Sequence, residues 1–231
     1  MPPGTALIVG ASRGLGFGLV REHLSRGWEV IATARDDQGA RALEALPRSG
    51  AGRLHVERAD VADDASMDAV RRRLQGRTLD VLLLNAGVGS ATDFMEAGSA
   101  ESAHVIHVNA VGPARLARLL LDNLRPDTGV IAFMSSRMGS IAQDTDGGWE
   151  GYRASKAAQN AFAAALAVKQ AKARGLTVLS LDPGWVKTDL GGPDAALSVE
   201  ESVPALVDLL ERHRGAGGHR YIDIEGREVP W

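Results

Sequence analysis

A doubly wound α/β fold, with one parallel sheet and helices on both faces, is the class this sequence predicts, and three observations carry it. Short apolar runs alternate with helical patterns along all 231 residues, the order expected of successive βαβ units. Some of those runs, Val81–Leu84 above all, are almost purely aliphatic, as strands covered on both faces must be. A glycine-rich turn closes the first run and opens the first helix.

The elements follow in order. Thr5–Val9 reads as a strand and Gly14–Arg26 as the helix after it. Glu29–Ala34 is the second strand, followed by a helix from about Gln38 to Leu46. Leu54–Val56 leads into Asp60, and Asp64–Leu74 is the next helix. After Val81–Leu84, Ser99 is placed as the N-cap of a long helix towards Leu124, with Glu101 in its first turn. Val130–Met134, Leu176–Leu181 and Tyr221–Ile224 complete the strands, with helices over Tyr152–Arg174 and Val199–His213. Right-handed crossovers make a doubly wound, Rossmann-type sheet the economical topology. Residues 1–231 are expected to form a single domain, with no linker or internal repeat. The longest irregular stretches, Val88–Gly98, Arg137–Gly151 and Pro183–Ser198, all follow strands. In this fold they gather at the carboxyl edge of the sheet, where ligands bind.

Composition narrows the function. Hydrophobic residues are 45% and charged residues 24%, which excludes a wholly disordered or collagenous chain. The absence of cysteine rules out disulfides, thiolate metal sites and a cysteine nucleophile. A net charge of −3 provides no global field for nucleic acid or anionic membranes. Met1-Pro2-Pro3-Gly4 lacks the character of a secretory signal, and no apolar run approaches the ~20 residues of a membrane span. A cytoplasmic protein without nucleic-acid or membrane partners is expected.

Three motifs carry chemistry. In Gly10-Ala11-Ser12-Arg13-Gly14-Leu15-Gly16 the glycines allow a tight turn and close approach of a pyrophosphate to the helix N-terminus. Tyr152 and Lys156 stand at i and i+4, on one helix face. A nearby ammonium would lower the phenol from its ordinary pKa of about 10, as a general acid/base near neutrality needs. Ser136, just past a strand, can donate to a polarised oxygen. Each motif has a blander structural explanation when isolated, and their ordered occurrence is what counts. His104 and His107 lack a metal-binding pattern, so no metal site is expected, and Arg71-Arg72-Arg73 reads as a solvated face.

In that order and over essentially its full length, the chain resembles the short-chain dehydrogenases/reductases. The residues that carry the likeness are Gly10-x-x-x-Gly14-x-Gly16, Asn85-Ala86-Gly87, Asn109, Ser136, Tyr152-x-x-x-Lys156 and Pro183-Gly184. The stretch Pro183–Gly192 and the ending Glu225-Gly226 through Pro230-Trp231 resemble the branch holding sniffer-type carbonyl reductases and C-factor proteins. The resemblance implies that Tyr152 donates a proton to a carbonyl oxygen as hydride arrives from a nicotinamide. It implies that Ser136 binds that oxygen, and that Lys156 binds the ribose and lowers the tyrosine pKa. Asn109 would order a water linked to Lys156. Gly10, Ser12, Arg13, Gly14, Leu15 and Gly16 would cradle phosphates. Asp60 and Val61 would flank adenine, and Asn85, Ala86 and Gly87 the adenosine ribose. Pro183, Gly184, Val186 and Thr188 would hold the carboxamide end. Two departures, Val9 where the family has threonine and Leu84 where it often has asparagine, remove polar groups that would tie the glycine turn to its neighbouring strand.

The cofactor is expected to be NADP(H), because Ala34 stands where NAD enzymes place an acid and Arg35 follows it, with Arg13 as a second cation. The expected reaction is reduction of an aldehyde or ketone, reversible to alcohol oxidation. Phe94, Met138, Trp149 and Trp185 are expected to line an apolar pocket. A nucleotide-bound signalling protein is the alternative. An epimerase or dehydratase is disfavoured, since only 231 − 156 = 75 residues follow Lys156. Pairing into a homodimer or small homo-oligomer is expected through helices near 100–124 and 152–174, where Ala158, Ala161 and Ala165 allow close approach.

Overall fold

The computed structural model describes residues 3–47, 52–90 and 96–231. In chain order it holds β1 (Thr5–Val9), α1 (Gly14–Ser25), β2 (Glu29–Ala34), α2 (Asp37–Glu44) and β3 (Arg53–Arg58). Next come α3 (Asp64–Arg73), β4 (Val81–Leu84), α4 (Ser99–Ile106), α5 (Gly112–Leu119) and β5 (Val130–Met134). Then follow α6 (Glu150–Leu166), β6 (Thr177–Asp182), α7 (Val199–Arg212) and β7 (Gly218–Asp223). The strands form one parallel sheet in the order β3-β2-β1-β4-β5-β6-β7. The chain therefore reverses direction between β1 and β4, and that switch point opens a crevice at the carboxyl edge.

Period-two alternation within each strand divides the core. Ala6 and Ile8 of β1 pack with Leu19 and Leu24 of α1 and Leu206 of α7. Leu7 and Val9 point the other way, towards Met67 of α3, Leu116 of α5 and Leu166 of α6. β4 and β5 are buried at every residue, which explains their unbroken apolar runs. β3 lies at the edge and alternates exposed with partly buried residues, and its charged Arg53, Glu57 and Arg58 discourage pairing with another chain. Those charges hid its ends from the apolar pattern, so the strand is longer than Leu54–Val56.

Two helices depart from expectation. Gly98, not Ser99, is the N-cap of α4, and no side chain caps it. The long helix expected up to Leu124 is divided, with a π-helical turn at His107–Val111 between α4 and α5 and a 3₁₀ turn at Leu121–Asn123. α6 likewise runs into a π turn at Ala167–Ala171. Single π turns of this kind are frequent at functional sites. No described helix is long and apolar enough to cross a membrane.

Candidate active site

The glycine turn is shaped by close contacts. Gly10 takes φ +80°, and a Cβ there would lie 2.6 Å from the Ala86 backbone. A Cβ on Gly16 would stand 2.2 Å from the Gly10 carbonyl oxygen, so α1 can begin this near the strand end only without one. The polar groups missing at Val9 and Leu84 are replaced by others. Gly10 N donates to Thr33 Oγ1 (3.1 Å), Asn85 Nδ2 donates to Gly10 O (2.8 Å), and Ala86 N donates to Val9 O (2.9 Å). Thr33, fully buried among the apolar residues 30–34 of β2, is a site residue the sequence reading missed. Its lone hydroxyl in that strand was the available signal.

This turn fits a pyrophosphate. Asp36, Asp63 and Ser198 cap α2, α3 and α7 with their side chains, whereas Arg13 at the N-cap of α1 makes no such bond. The first N–H groups of α1 are therefore not taken by a capping side chain. Ser12 and Leu15 are half-buried beside them. Arg13 is exposed and 3.5 Å from Asp189, and a Cβ on Gly14 would contact Thr188 at 3.2 Å. The loop after β6 thus folds over the turn. Two clefts, of about 260 and 330 Å³, run on from Gly14 and Gly18 between α1 and α7 rather than towards Tyr152.

The rest of the adenosine end lies along β2 and β3. Arg35 is exposed at the end of β2 and has no carboxylate partner among the described residues. Asp36 is occupied as the α2 cap, and Asp37 pairs with Arg58 at 2.8 Å. Asp60 Oδ1 accepts from Ala62 N (2.9 Å), and Val61 is buried under Gly112, whose added Cβ would meet Val61 O at 2.1 Å.

Ser136, Tyr152 and Lys156 converge at the far side of the crevice. Tyr152, only 8% exposed, lies close enough to the Ser136 side chain for the two to interact. Lys156 Nζ lies 5.6 Å from the Tyr152 ring centroid and donates to Met134 O (2.7 Å). A Cβ on Gly87 would lie 3.2 Å from Asn109 Oδ1 and 3.7 Å from Lys156 Nζ, which joins the Asn85-Ala86-Gly87 turn to the group. Asn109 sits in the π turn. Its amide brackets Val88, accepting from its N and donating to its O at 2.8 Å each, and also donates to Ser155 Oγ (2.9 Å). Its carbonyl accepts from Gln159 Nε2 (2.7 Å). Asn109 therefore fastens the turn after β4 onto α6.

The expected lowering of the tyrosine pKa is corrected. Burial pushes the Tyr152 phenol up to about 12, opposed by the neighbouring Ser136 side chain and assisted by the charge of Asp182. Burial also lowers Lys156 to about 7. Spacing placed the pair on one face, but it could not reveal that both groups are withdrawn from water, which disfavours phenolate and ammonium alike.

Trp149, at the N-cap of α6, holds φ +61°, a conformation that costs a bulky residue roughly 1–3 kcal/mol and is concentrated at functional sites. Its ring meets Tyr152 edge-on, with centroids 6.1 Å apart. Trp185 is 58% exposed and donates its indole N–H to Gly191 O (2.7 Å), so it lies along the loop after β6. Gly184 takes φ +75° after Pro183, and Val186 is buried. Thr188 Oγ1 accepts from Gly191 N (3.0 Å). Met138 is half-buried beside Ser136, and Phe94 lies outside the described residues.

Comparison with known proteins agrees with this geometry. The family model described as short chain dehydrogenase matches residues 4–196. The C-signal protein of Myxococcus xanthus is 38% identical over 155 residues, which is 66% of this chain and 93% of that protein. A short-chain dehydrogenase/reductase from Burkholderia multivorans, crystallised with bound NADP, superposes with a TM-score of 0.93 at 41% identity over 100% of both chains. The carbonyl reductase Sniffer of D. melanogaster superposes with a TM-score of 0.86 at 30% identity, again over 100% of both.

Proposed function

Because the chain belongs to the short-chain dehydrogenase/reductase family, and so is an oxidoreductase, we propose that its reaction is NADPH-dependent reduction of aldehyde or ketone carbonyls. The observation that carries this reading is the meeting of Ser136, Tyr152 and Lys156 at one edge of the crevice, across from the glycine turn. NADP(H), when bound, supplies the hydride. Tyr152 gives the carbonyl oxygen its proton, and a phenol kept neutral by burial is in the form required of a donor. Ser136 would orient that oxygen, and Lys156 would hold the nicotinamide ribose. Thr188 and Val186 would hold the carboxamide end, and Arg13 and Arg35 would receive a 2′-phosphate. Bound NADP in the Burkholderia relative and carbonyl reduction by Sniffer support the assignment. NADPH oxidation against a panel of carbonyl compounds tests it, and a purified protein that turns over none of them refutes it.

Trp149, Trp185 and Met138 form the apolar side of the substrate pocket. Uncharged aromatic ketones should therefore be preferred to short keto acids. Trp185→Ala should raise KM for bulky ketones several-fold while leaving small aldehydes nearly unchanged. Equal effects on both, or faster turnover of pyruvate than of an aryl ketone, would remove Trp185 from the pocket.

The assembly follows from the surface of α6. Ala161, Phe162 and Ala165 of α6 are exposed, as is Val168 in the π turn after it, an apolar stripe at helical spacing. A second copy covering it with α6 and α5 would give a homodimer. Light scattering should report about twice 24.3 kDa, and a single monomeric species at working concentration would contradict this. A second reading, a nucleotide-bound signalling protein, rests on the likeness to C-signal. It requires a cofactor site but no proton donor, so only in that case would Tyr152→Phe leave the biological output intact.

A further inference from the structure

Tyr221, one of two tyrosines in the chain, stands on β7 opposite Ser180 of β6 and has no part in the mechanism above. Its hydroxyl donates to the main-chain oxygen of Ser136. Close by, Ser135 Oγ donates to Asn160 Oδ1 (2.8 Å), so the Ser135-Ser136 step is held from β7 and from α6, one turn beyond Lys156. The Tyr221 ring is in turn covered by Trp231, with centroids 5.1 Å apart, and Trp231 also lies 4.9 Å from the His219 ring.

The segment that delivers Trp231 doubles back along β7. Ile222 and Glu228 form an antiparallel bridge, and Val229 N donates to Tyr221 O (2.8 Å). Its end grips the stretch after Ser136 through the backbone. Ser140 Oγ donates to Pro230 O (2.5 Å), and Ala142 N donates to Trp231 O (3.1 Å). Ser136 itself begins the short 3₁₀ turn Arg137–Gly139 and accepts from Met138 N (3.2 Å). The tail thus holds this stretch at two points downstream of Ser136, while Tyr221 holds it at Ser136 itself.

From this arrangement we propose that Tyr221 and Trp231 are positioning residues that fix Ser136 against Tyr152 and hold Met138 as a wall of the substrate pocket. The proposal rests on the catalytic reading of Ser136. Neither residue touches the reacting atoms. Tyr221 sets the plane of the peptide that carries Ser136, and Trp231 seats Tyr221 while its backbone anchors residues 140–142. A catalytic group must be held to within fractions of an ångström, and displacement by about 1 Å can cost on the order of 10²-fold in rate.

Amide hydrogen exchange on the ligand-free protein and steady-state kinetics with NADPH and an aryl ketone test this together. Trp231→Ala and Ser140→Ala should raise exchange at residues 139–142 at least tenfold, with β5 and β6 unchanged. Trp231→Phe, which keeps a ring on Tyr221, should restore protection. Tyr221→Phe should lower kcat by roughly 10- to 10²-fold and leave NADPH affinity as in wild type, since the glycine turn lies across the crevice. Tyr221→Phe with Trp231→Ala should lose less than the two single losses combined, because Trp231 acts in part through Tyr221. Unchanged exchange in Trp231→Ala, additive losses, or a loss of NADPH affinity matching the loss in kcat would overturn the proposal. A wild type that reduces no carbonyl would refute the functional reading instead, and the exchange measurements would still decide whether the tail holds the Ser136 segment.

Discussion

Replacing Tyr152 by phenylalanine is expected to lower turnover by roughly 10²–10⁴-fold while leaving NADPH binding nearly intact. The substitution removes one oxygen from a side chain that is 8% exposed and packed edge-on to Trp149, so the cavity changes little. What is lost is the proton donor and its interaction with the Ser136 side chain. Lys156→Met should behave differently. Nζ donates to Met134 O and lies near the turn at Gly87, so its removal should weaken cofactor binding as well as turnover. It should also alter stability with pH. The Lys156 pKa falls from 10.5 in the unfolded chain to about 7 in the folded one, so between these values the unfolded chain binds more protons. Stability of the ligand-free protein should then rise with pH across that window, and the contribution is lost as pH falls through about 7. Lys156→Met should abolish that rise. Near-normal turnover in Tyr152→Phe would eliminate the proposed proton donor, and an unchanged pH slope in Lys156→Met would show that the ammonium is not buried as described.

Much of this fold could be read from residues in order, because burial on both faces imposes a strong pattern. Val81–Leu84 and Val130–Met134 are apolar at every position, and they are strands with those bounds. Features that depend on a single residue or on backbone shape were less legible. Ser99 has the chemistry of a cap, yet the chain turns into α4 one residue earlier, at Gly98. The π turns at 107–111 and 167–171 are a matter of main-chain hydrogen bonding rather than of residue type, and so could not be read in advance.

The site divides in the same way. Ser136, Tyr152 and Lys156 were identifiable by type and order. Thr33 and Tyr221 were not, since each acts by one hydrogen bond to a main-chain group far away in sequence. The direction of the Tyr152 shift was also beyond spacing. An i, i+4 lysine suggests a lowered phenol pKa, but burial of both groups outweighs their proximity.

The preference for NADPH over NADH should be large and should invert in the double variant Ala34→Asp/Arg35→Ala. Ala34 ends β2 and is buried, so its position carries no group to accept from a ribose 2′-hydroxyl. Arg35 follows it, exposed and with no carboxylate partner among the described residues. The two acids that come next could repel a 2′-phosphate, but each is already engaged. Asp36 caps α2 through Gly39 N at 2.8 Å, and Asp37 is neutralised by Arg58 at 2.8 Å. Arg58 pairs in register with Ala34 across β2 and β3, and because its charge is matched by Asp37 the cation left at this end of β2 is Arg35. Arg13 supplies another from the glycine turn, once its exposed contact with Asp189 gives way. Losing a charge-assisted bond from Arg35 should cost roughly 10- to 10²-fold in kcat/KM with NADPH, and a carboxylate at position 34 a similar factor by repulsion. The same carboxylate gains a ribose hydroxyl as partner when NADH binds. Measuring kcat/KM for both cofactors on wild type and on the double variant gives the answer. A wild type that favours NADH, or a double variant whose preference has not moved, would mean that the cations around Ala34 face solvent and play no part in choosing the cofactor.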